Sequence, residues 1–223
     1  GFIMSSDKGK ITQDILQLAD AIIAGKRLTS EDKLDFFETA DLEDLCTGAN
    51  RIRLALCPDK VDLCTIINGR AGRCAEDCKF CAQSAHHATA CAEYDLLDTE
   101  TVLSDCMQRE ADGVHAYSIV TAGRTVEGEE LDRLISIYQA LSRHTSMRLC
   151  ASHGLLTADA FARLRASGVS MYHCNIETSR RYFPEICTTH SFEDKLTEIR
   201  LAKEAGFSVC SGGIIGMGES FAD

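Results

Sequence analysis

Apolar residues in the first sixty positions recur at helical spacing. Ile11, Ile15, Leu18, Ala19 and Ile22 fall three or four apart, which predicts one amphipathic helix. Thr29-Ser30-Glu31-Asp32 reads as a helix start ahead of Leu34, Phe36 and Phe37. A third helix is expected from Leu42 to about Leu56, stopping at Cys57-Pro58-Asp59 because the residue before a proline is disfavoured in helix.

From Val61 the period changes to short apolar runs alternating with amphipathic stretches. The pattern predicts strands at Val61–Asn68, Val114–Thr121, Met147–His153, Val169–Ile176 and Ser208–Ile215. Between them it predicts helices at Thr99–Ala111, with Val102, Leu103, Cys106 and Met107 on one face, and at Glu129–Ser142, Thr157–Ser167 and Phe192–Ala205. Gly113, Gly168 and Gly206 stand where left-handed helix ends are expected. Strand–helix alternation implies right-handed crossovers and a parallel sheet buried on both faces. The fold class is therefore α/β: a (β/α)8 TIM-type barrel of which about five units are present, residues 61–223, preceded by a helical extension, residues 1–60. A closed barrel takes about 250 residues, and only 163 of the 223 follow that extension. The expectation is the front part of a longer protein.

Composition narrows the partners. Acidic residues outnumber basic ones 34 to 23, a net charge of -11 that disfavours nucleic acid and anionic membranes and favours a small-molecule substrate. No run reaches the length of a membrane span, and Gly1-Phe2-Ile3-Met4 lacks the basic flank of a secretory signal, so a cytoplasmic location is expected. Twelve cysteines in a reducing compartment point to metal ligation rather than disulfides. Cys46, Cys57, Cys91, Cys106 and Cys187 are read as small buried hydrophobes, the commonest fate of a free cysteine.

In barrels the chemistry gathers at the carboxyl ends of the strands. The first strand runs into Cys74-Ala75-Glu76-Asp77-Cys78-Lys79-Phe80-Cys81, three thiolates within eight residues. Three thiolates suit a soft-metal centre, and a four-iron cluster held by three of them leaves one iron open. A structural zinc site wants four closed ligands, and a bacterial ferredoxin run uses two-residue gaps throughout and a following Cys-Pro, whereas here the first gap is three residues and no Cys-Pro follows.

The spacing C-x3-C-x-aromatic-C resembles the signature of the radical S-adenosylmethionine enzymes. The resemblance implies that Cys74, Cys78 and Cys81 bind a [4Fe-4S] cluster whose open iron is chelated by S-adenosylmethionine, with Phe80 beside the adenine. Reductive cleavage would then yield methionine and a 5'-deoxyadenosyl radical. Within that superfamily, Gly72–Ser84, Tyr172-His173-Cys174-Asn175-Ile176-Glu177-Thr178 and Val209–Glu219 are similar to the biotin synthase family, in the right order from about Asn50 onward. That likeness implies a sulfurtransferase that inserts sulfur into dethiobiotin, with flavodoxin or ferredoxin as electron donor and a homodimer at full length. A hydrogenase-maturation type of radical enzyme and a non-catalytic iron–sulfur or zinc-binding module are the alternatives.

The same likeness implies a second iron–sulfur cluster, [2Fe-2S] or a variant. Two of its usual strand cysteines are matched by Cys150 and Cys210, while Ser118 stands at the third position. Cys64 on the first strand is the candidate replacement, against the alternative of a small core residue. On the fourth strand His173, Asn175 and Glu177 share one face and Cys174 points to the other. The resemblance places Asn175 and Glu177 against S-adenosylmethionine and substrate, and Ile214 of the glycine-rich fifth strand end against adenine. His173 is equally a substrate contact or a structural histidine. Arg124 reads as a solvated surface residue before a binder of the methionine carboxylate; His86 and His87 receive no role, and no catalytic residue is named.

Overall fold

A computed structural model describes residues 5–29 and 31–223. Gly1–Met4 and Ser30 lie outside the described residues, as do the side chains of residues 5–9 and of Ile11. The chain forms two compact units, Gly1–Val61 and Asp62–Asp223.

The first unit holds α1 (Ser5–Ile23), α2 (Phe36–Thr39) and α3 (Leu42–Leu56). Gly48 of α3 sits so close to α1 that a Cβ there would come within 2.8 Å of the Ile15 side chain, and the buried Ile15 and Ala19 seal that crossing. Thr12 donates to Asp44 at 2.8 Å and Arg51 pairs with Asp20 at 2.8 Å along the same pair. The expected helix start at Thr29–Asp32 is instead a turn: the Asp32 carboxylate accepts from the Thr29 backbone N–H at 2.7 Å, and helix begins only at Phe36. Cys46 and Cys57 are exposed rather than buried. Cys57 follows the last helical residue in extended backbone.

The second unit alternates β1 (Cys64–Arg70), α4 (Thr99–Ala111), β2 (Ala116–Thr121), α5 (Gly128–His144), β3 (Arg148–Ser152), α6 (Ala158–Ala166), β4 (Met171–His173), α7 (Phe183–Ile186), α8 (Phe192–Glu204) and β5 (Ser208–Cys210). The five strands are parallel, in the order β1-β2-β3-β4-β5, and among the described residues the sheet does not close on itself. Asp98, Thr157 and Ser191 cap α4, α6 and α8, Ser191 in a reciprocal box with Asp194.

Strand alternation divides the sheet sharply. Tyr117, Ile119, Leu149, Ala151 and Tyr172 point into a core closed by Val102, Leu134, Tyr138, Leu141, Phe161 and Leu164 of the helices. Val102 and Cys106 of α4 join it, whereas Met107, about 100° further round the helix, stays exposed. Inside this core His153 is fully buried, its Nδ1 against Thr121 Oγ1 and its Nε2 against the Tyr138 hydroxyl, each at 2.9 Å.

The opposite face carries Cys64, Ile66 and Asn68 of β1, Ser118 of β2, Arg148 and Cys150 of β3, His173 of β4 and Cys210 of β5. Register places Ile66 beside Ser118, Ser118 beside Cys150, Cys150 beside Met171, and His173 beside Cys210. Among the described residues of this unit no helix covers this face, and Ile66 and Cys64 are exposed although both lie within the sheet.

Candidate metal centre and its surroundings

The strands deliver their functional side chains at the carboxyl edge. After β1 the chain makes the loop 71–85, pinned at both ends: Cys74 N donates to Gln83 O at 3.0 Å and Ala85 N to Cys74 O at 2.7 Å. Cys74 is buried, Cys78 and Cys81 are half-buried, and Phe80 remains partly exposed. Two histidines brace the loop: His86 Nε2 meets Ala75 O and His87 Nε2 meets Cys78 O, each at 3.0 Å. Sequence reading left both without a role, because a bond to a backbone carbonyl has no sequence signature.

A second segment, Cys187–His190, grips the loop from the side after α7. Lys79 N donates to Ile186 O at 2.9 Å. The Asp77 carboxylate accepts from the backbone N–H groups of Thr188 and Thr189 at 2.8 and 3.2 Å and from both hydroxyls, and these donors hold its carboxyl well below the usual range. Glu76 is buried, which raises its pKa, but His190, Thr189 and Arg124 together outweigh that and keep it low. Arg124 donates to Glu76 at 3.2 Å and to Thr189 O at 2.8 Å. It is therefore neither the solvated arginine nor a free carboxylate binder, but a strut between loop and segment.

At the ends of β4 and β5, Asn175 and Glu177 come together with Gly212 and Gly213. Ile176 N and Glu177 N donate to Gly212 O at 3.0 and 3.2 Å, and Ile214 N donates to Glu177 O at 2.8 Å. A Cβ at Gly213 would come within 2.7 Å of the Glu177 carbonyl oxygen, so the approach depends on glycine. Glu177 adopts φ +68°, a conformation found chiefly where function constrains the backbone. Among the described residues, its Oε2 and Asn68 Oδ1 are the buried side-chain oxygens without a hydrogen-bond partner. Burial pushes the Glu177 carboxyl pKa up, and Lys195 of α8 opposes this. The positive charge of Lys195 also reaches Cys78. Sequence reading missed this lysine because an amphipathic helix is expected to carry lysines for solvation alone.

Cys174 points away from these groups as alternation requires, its thiol 3.2 Å from the Glu198 carboxylate, and burial pushes it up to about 12. Deeper on the uncovered face, burial raises the Cys150 thiol; Arg148 opposes the shift, and Cys64 and Cys210 add to it, so these sulfurs feel one another's charge. Cys64 pairs with Ala116 in the ladder, two pairs from the Ile66–Ser118 pair. Cys64 itself is exposed.

Residues 70–223 match the family described as the radical SAM superfamily. The chain belongs to that superfamily. Radical SAM enzymes use S-adenosylmethionine at a [4Fe-4S] cluster, a donor demand that three thiolates in one loop meet. The chain is 56% identical over 207 residues to the biotin synthase of Clostridium beijerinckii, covering 93% of this chain and 66% of that protein. It is 56% identical over 210 residues to the biotin synthase of Alkaliphilus metalliredigens, covering 94% and 66%. The chain thus spans just under two thirds of these relatives. Among solved structures it resembles methylornithine synthase, with TM-score 0.73 at 21% identity over 91% of this chain and 60% of that one. It also resembles the [FeFe]-hydrogenase maturase of Carboxydothermus hydrogenoformans, with TM-score 0.70 at 16% identity over 98% and 56%. Identities this low show a shared fold, here the open part of a radical SAM barrel.

Proposed function

We propose that this chain carries the radical chemistry of a biotin synthase, a sulfurtransferase converting dethiobiotin to biotin. The observation that supports this most is the placement of Cys150 and Cys210 on the same uncovered sheet face as Cys64, below the Cys74–Cys81 loop. A radical enzyme that inserts sulfur needs a sulfur source there. On this reading Cys74, Cys78 and Cys81 hold the [4Fe-4S] cluster, and Cys64, Cys150 and Cys210 hold a second iron–sulfur cluster, [2Fe-2S] or a variant. Cys64 takes the place that Ser118 leaves vacant of a thiolate. When bound, the first cluster supplies the electron that cleaves S-adenosylmethionine to methionine and a radical able to abstract hydrogen.

The chain's own groups bind and orient. Asn175 and the unpartnered oxygen of Glu177 accept from ribose hydroxyls, Phe80 and Ile214 flank the adenine, and Lys195 meets the methionine carboxylate. The unpaired buried oxygens of Glu177 and Asn68 fit a polar ligand that supplies donors. The helical residues 1–60 and the barrel residues from 61 are separate domains in this proposal. The protein works in the cytoplasm, with flavodoxin or ferredoxin as electron donor and as a homodimer at full length. No described helix is long and apolar enough to cross a membrane.

Anaerobic reconstitution with iron and sulfide, followed by S-adenosylmethionine and a reductant, tests the reading in two steps. Formation of 5'-deoxyadenosine reports the first cluster, and its dependence on dethiobiotin reports the substrate. Iron and sulfide sufficient for one cluster only, in a preparation with Cys64, Cys150 and Cys210 intact, would overturn the assignment as a sulfur-inserting enzyme.

A further inference from the structure

Cys187 has no part in the chemistry proposed above, yet it is buried against a cluster-loop thiol. Its Sγ lies 3.8 Å from Cys78 Sγ, 3.3 Å from His190 Nδ1 and 3.8 Å from His190 Nε2. Among the described residues, these are the three donors of metal-binding type that gather within 4.8 Å of one another. The spacing is informative. Two sulfurs bound to one tetrahedral zinc ion at about 2.3 Å stand about 3.8 Å apart, and a sulfur and an imidazole nitrogen about 3.6 Å apart. Ligands on separate irons of a cluster have no reason to approach so closely, and neither Cys74 nor Cys81 joins the group.

The surroundings also suit a single ion. His190 Nδ1, the nitrogen nearer Cys187 Sγ, is bonded to the Glu76 carboxylate, which leaves Nε2, 3.8 Å from that sulfur, as the nitrogen without a protein partner that can ligate an ion. A carboxylate behind a ligating histidine fixes its tautomer and ring orientation. Both Cys187 and the His190 side chain are shielded from water, at 3% and 7% exposure.

We propose that in the cluster-free chain Cys78, Cys187 and His190 bind one zinc-class divalent ion, with Glu76 orienting the imidazole and a water filling the fourth position. On binding, the two thiols release their protons to solvent. The site stands independently of the radical reading. Only one consequence rests on it: because Cys78 belongs to both sets, the ion and the [4Fe-4S] cluster exclude each other, and a zinc-held loop must surrender its ion before the cluster is loaded.

Cobalt(II) titration of the cluster-free whole chain, made anaerobically with Cys64→Ser, Cys150→Ser and Cys210→Ser to silence the deeper thiols, tests the site. One equivalent should bind with tetrahedral cobalt bands and thiolate-to-cobalt charge transfer. Cys187→Ser and His190→Gln should abolish the tight phase, and Glu76→Gln should weaken it about 10- to 100-fold. Cys74→Ser and Cys81→Ser should leave it intact. Circular dichroism on each variant confirms folding, and His190→Gln serves if Cys187→Ser does not fold. Unchanged binding in folded Cys187→Ser or His190→Gln, or a loss in Cys74→Ser equal to that in Cys187→Ser, overturns the proposal. Failure of the radical reading would show elsewhere, as a reconstituted chain that forms no 5'-deoxyadenosine.

Discussion

The carboxylate of Asp77 accepts a hydrogen bond from the backbone N–H of Thr188 at 2.8 Å, joining groups 111 residues apart in sequence. Two N–H groups and two hydroxyls converge on that one side chain. The cysteine loop has little apolar burial of its own, so its geometry depends on such polar ties. Asp77→Ala removes the acceptor of those four donors at a half-buried position and is expected to cost about 1–2 kcal/mol, lowering the thermal midpoint by a few degrees without unfolding the chain. Iron retained after gel filtration should nevertheless fall several-fold. Iron retention equal to the parent would show that the loop holds its shape without the clamp.

The buried His153 makes the fold sensitive to acid. Burial depresses its pKa from 6.5 to about 3, so the folded state keeps it neutral while the unfolded chain takes up a proton. The unfolded state binds more protons below pH 6.5, and stability falls as pH drops from there toward 3. Between pH 8 and pH 5 the loss from this group is about 2 kcal/mol. Urea unfolding at the two pH values should show it, and His153→Gln should flatten the difference while lowering stability at pH 8. An equal pH slope in parent and variant would assign the acid sensitivity to other groups.

Glu177 offers a contrast between folding and binding. Its Oε2 is buried without a partner, so the ligand-free chain carries the cost of desolvating it. Glu177→Gln removes the charge and is expected to stabilise the ligand-free chain by about 1 kcal/mol, by urea unfolding. The same change should weaken S-adenosylmethionine binding about 10- to 100-fold, the worth of a hydrogen bond to a charged group. Weaker binding with lower stability would instead mean that the carboxylate supports the backbone at φ +68°.

Helices were the most legible part of this chain. Leu42–Leu56 and Thr99–Ala111 end where caps, proline and periodicity place them. The last strands are shorter than their apolar runs, and beyond them pairing continues only irregularly, with Cys174 N donating to Cys210 O and Ile176 N to Gly212 O. Position along the strand was readable at Cys150 and Cys210, where alternation decides the face. Partners supplied by distant backbone were not readable: Arg124, His86, His87 and the Thr188–His190 segment act through contacts that no local pattern encodes. Exposure at Cys46 and Cys57 also escaped, since a cysteine's burial depends on what covers it rather than on its neighbours in sequence.

The uncovered face yields the sharpest test of the second centre. Cys64 and Ser118 lie on adjacent strands, with Ser118 directly beside Cys150 in the ladder and Cys64 two pairs further down, on the same face. A thiolate at either position lies on the face shared by Cys150 and Cys210, but a hydroxyl is a poor ligand for iron. Cys64→Ser should therefore remove the iron and sulfide of one cluster while 5'-deoxyadenosine formation persists, because Cys74, Cys78 and Cys81 are untouched. Adding Ser118→Cys to that variant should restore the lost iron, at a position two residue pairs along the ladder. The restored centre should differ in its Mössbauer parameters from the parent, since its ligands then come from neighbouring positions on β2 and β3. Unchanged iron in Cys64→Ser would return Cys64 to an exposed thiol without a ligand role, and Cys150 and Cys210 would need another partner.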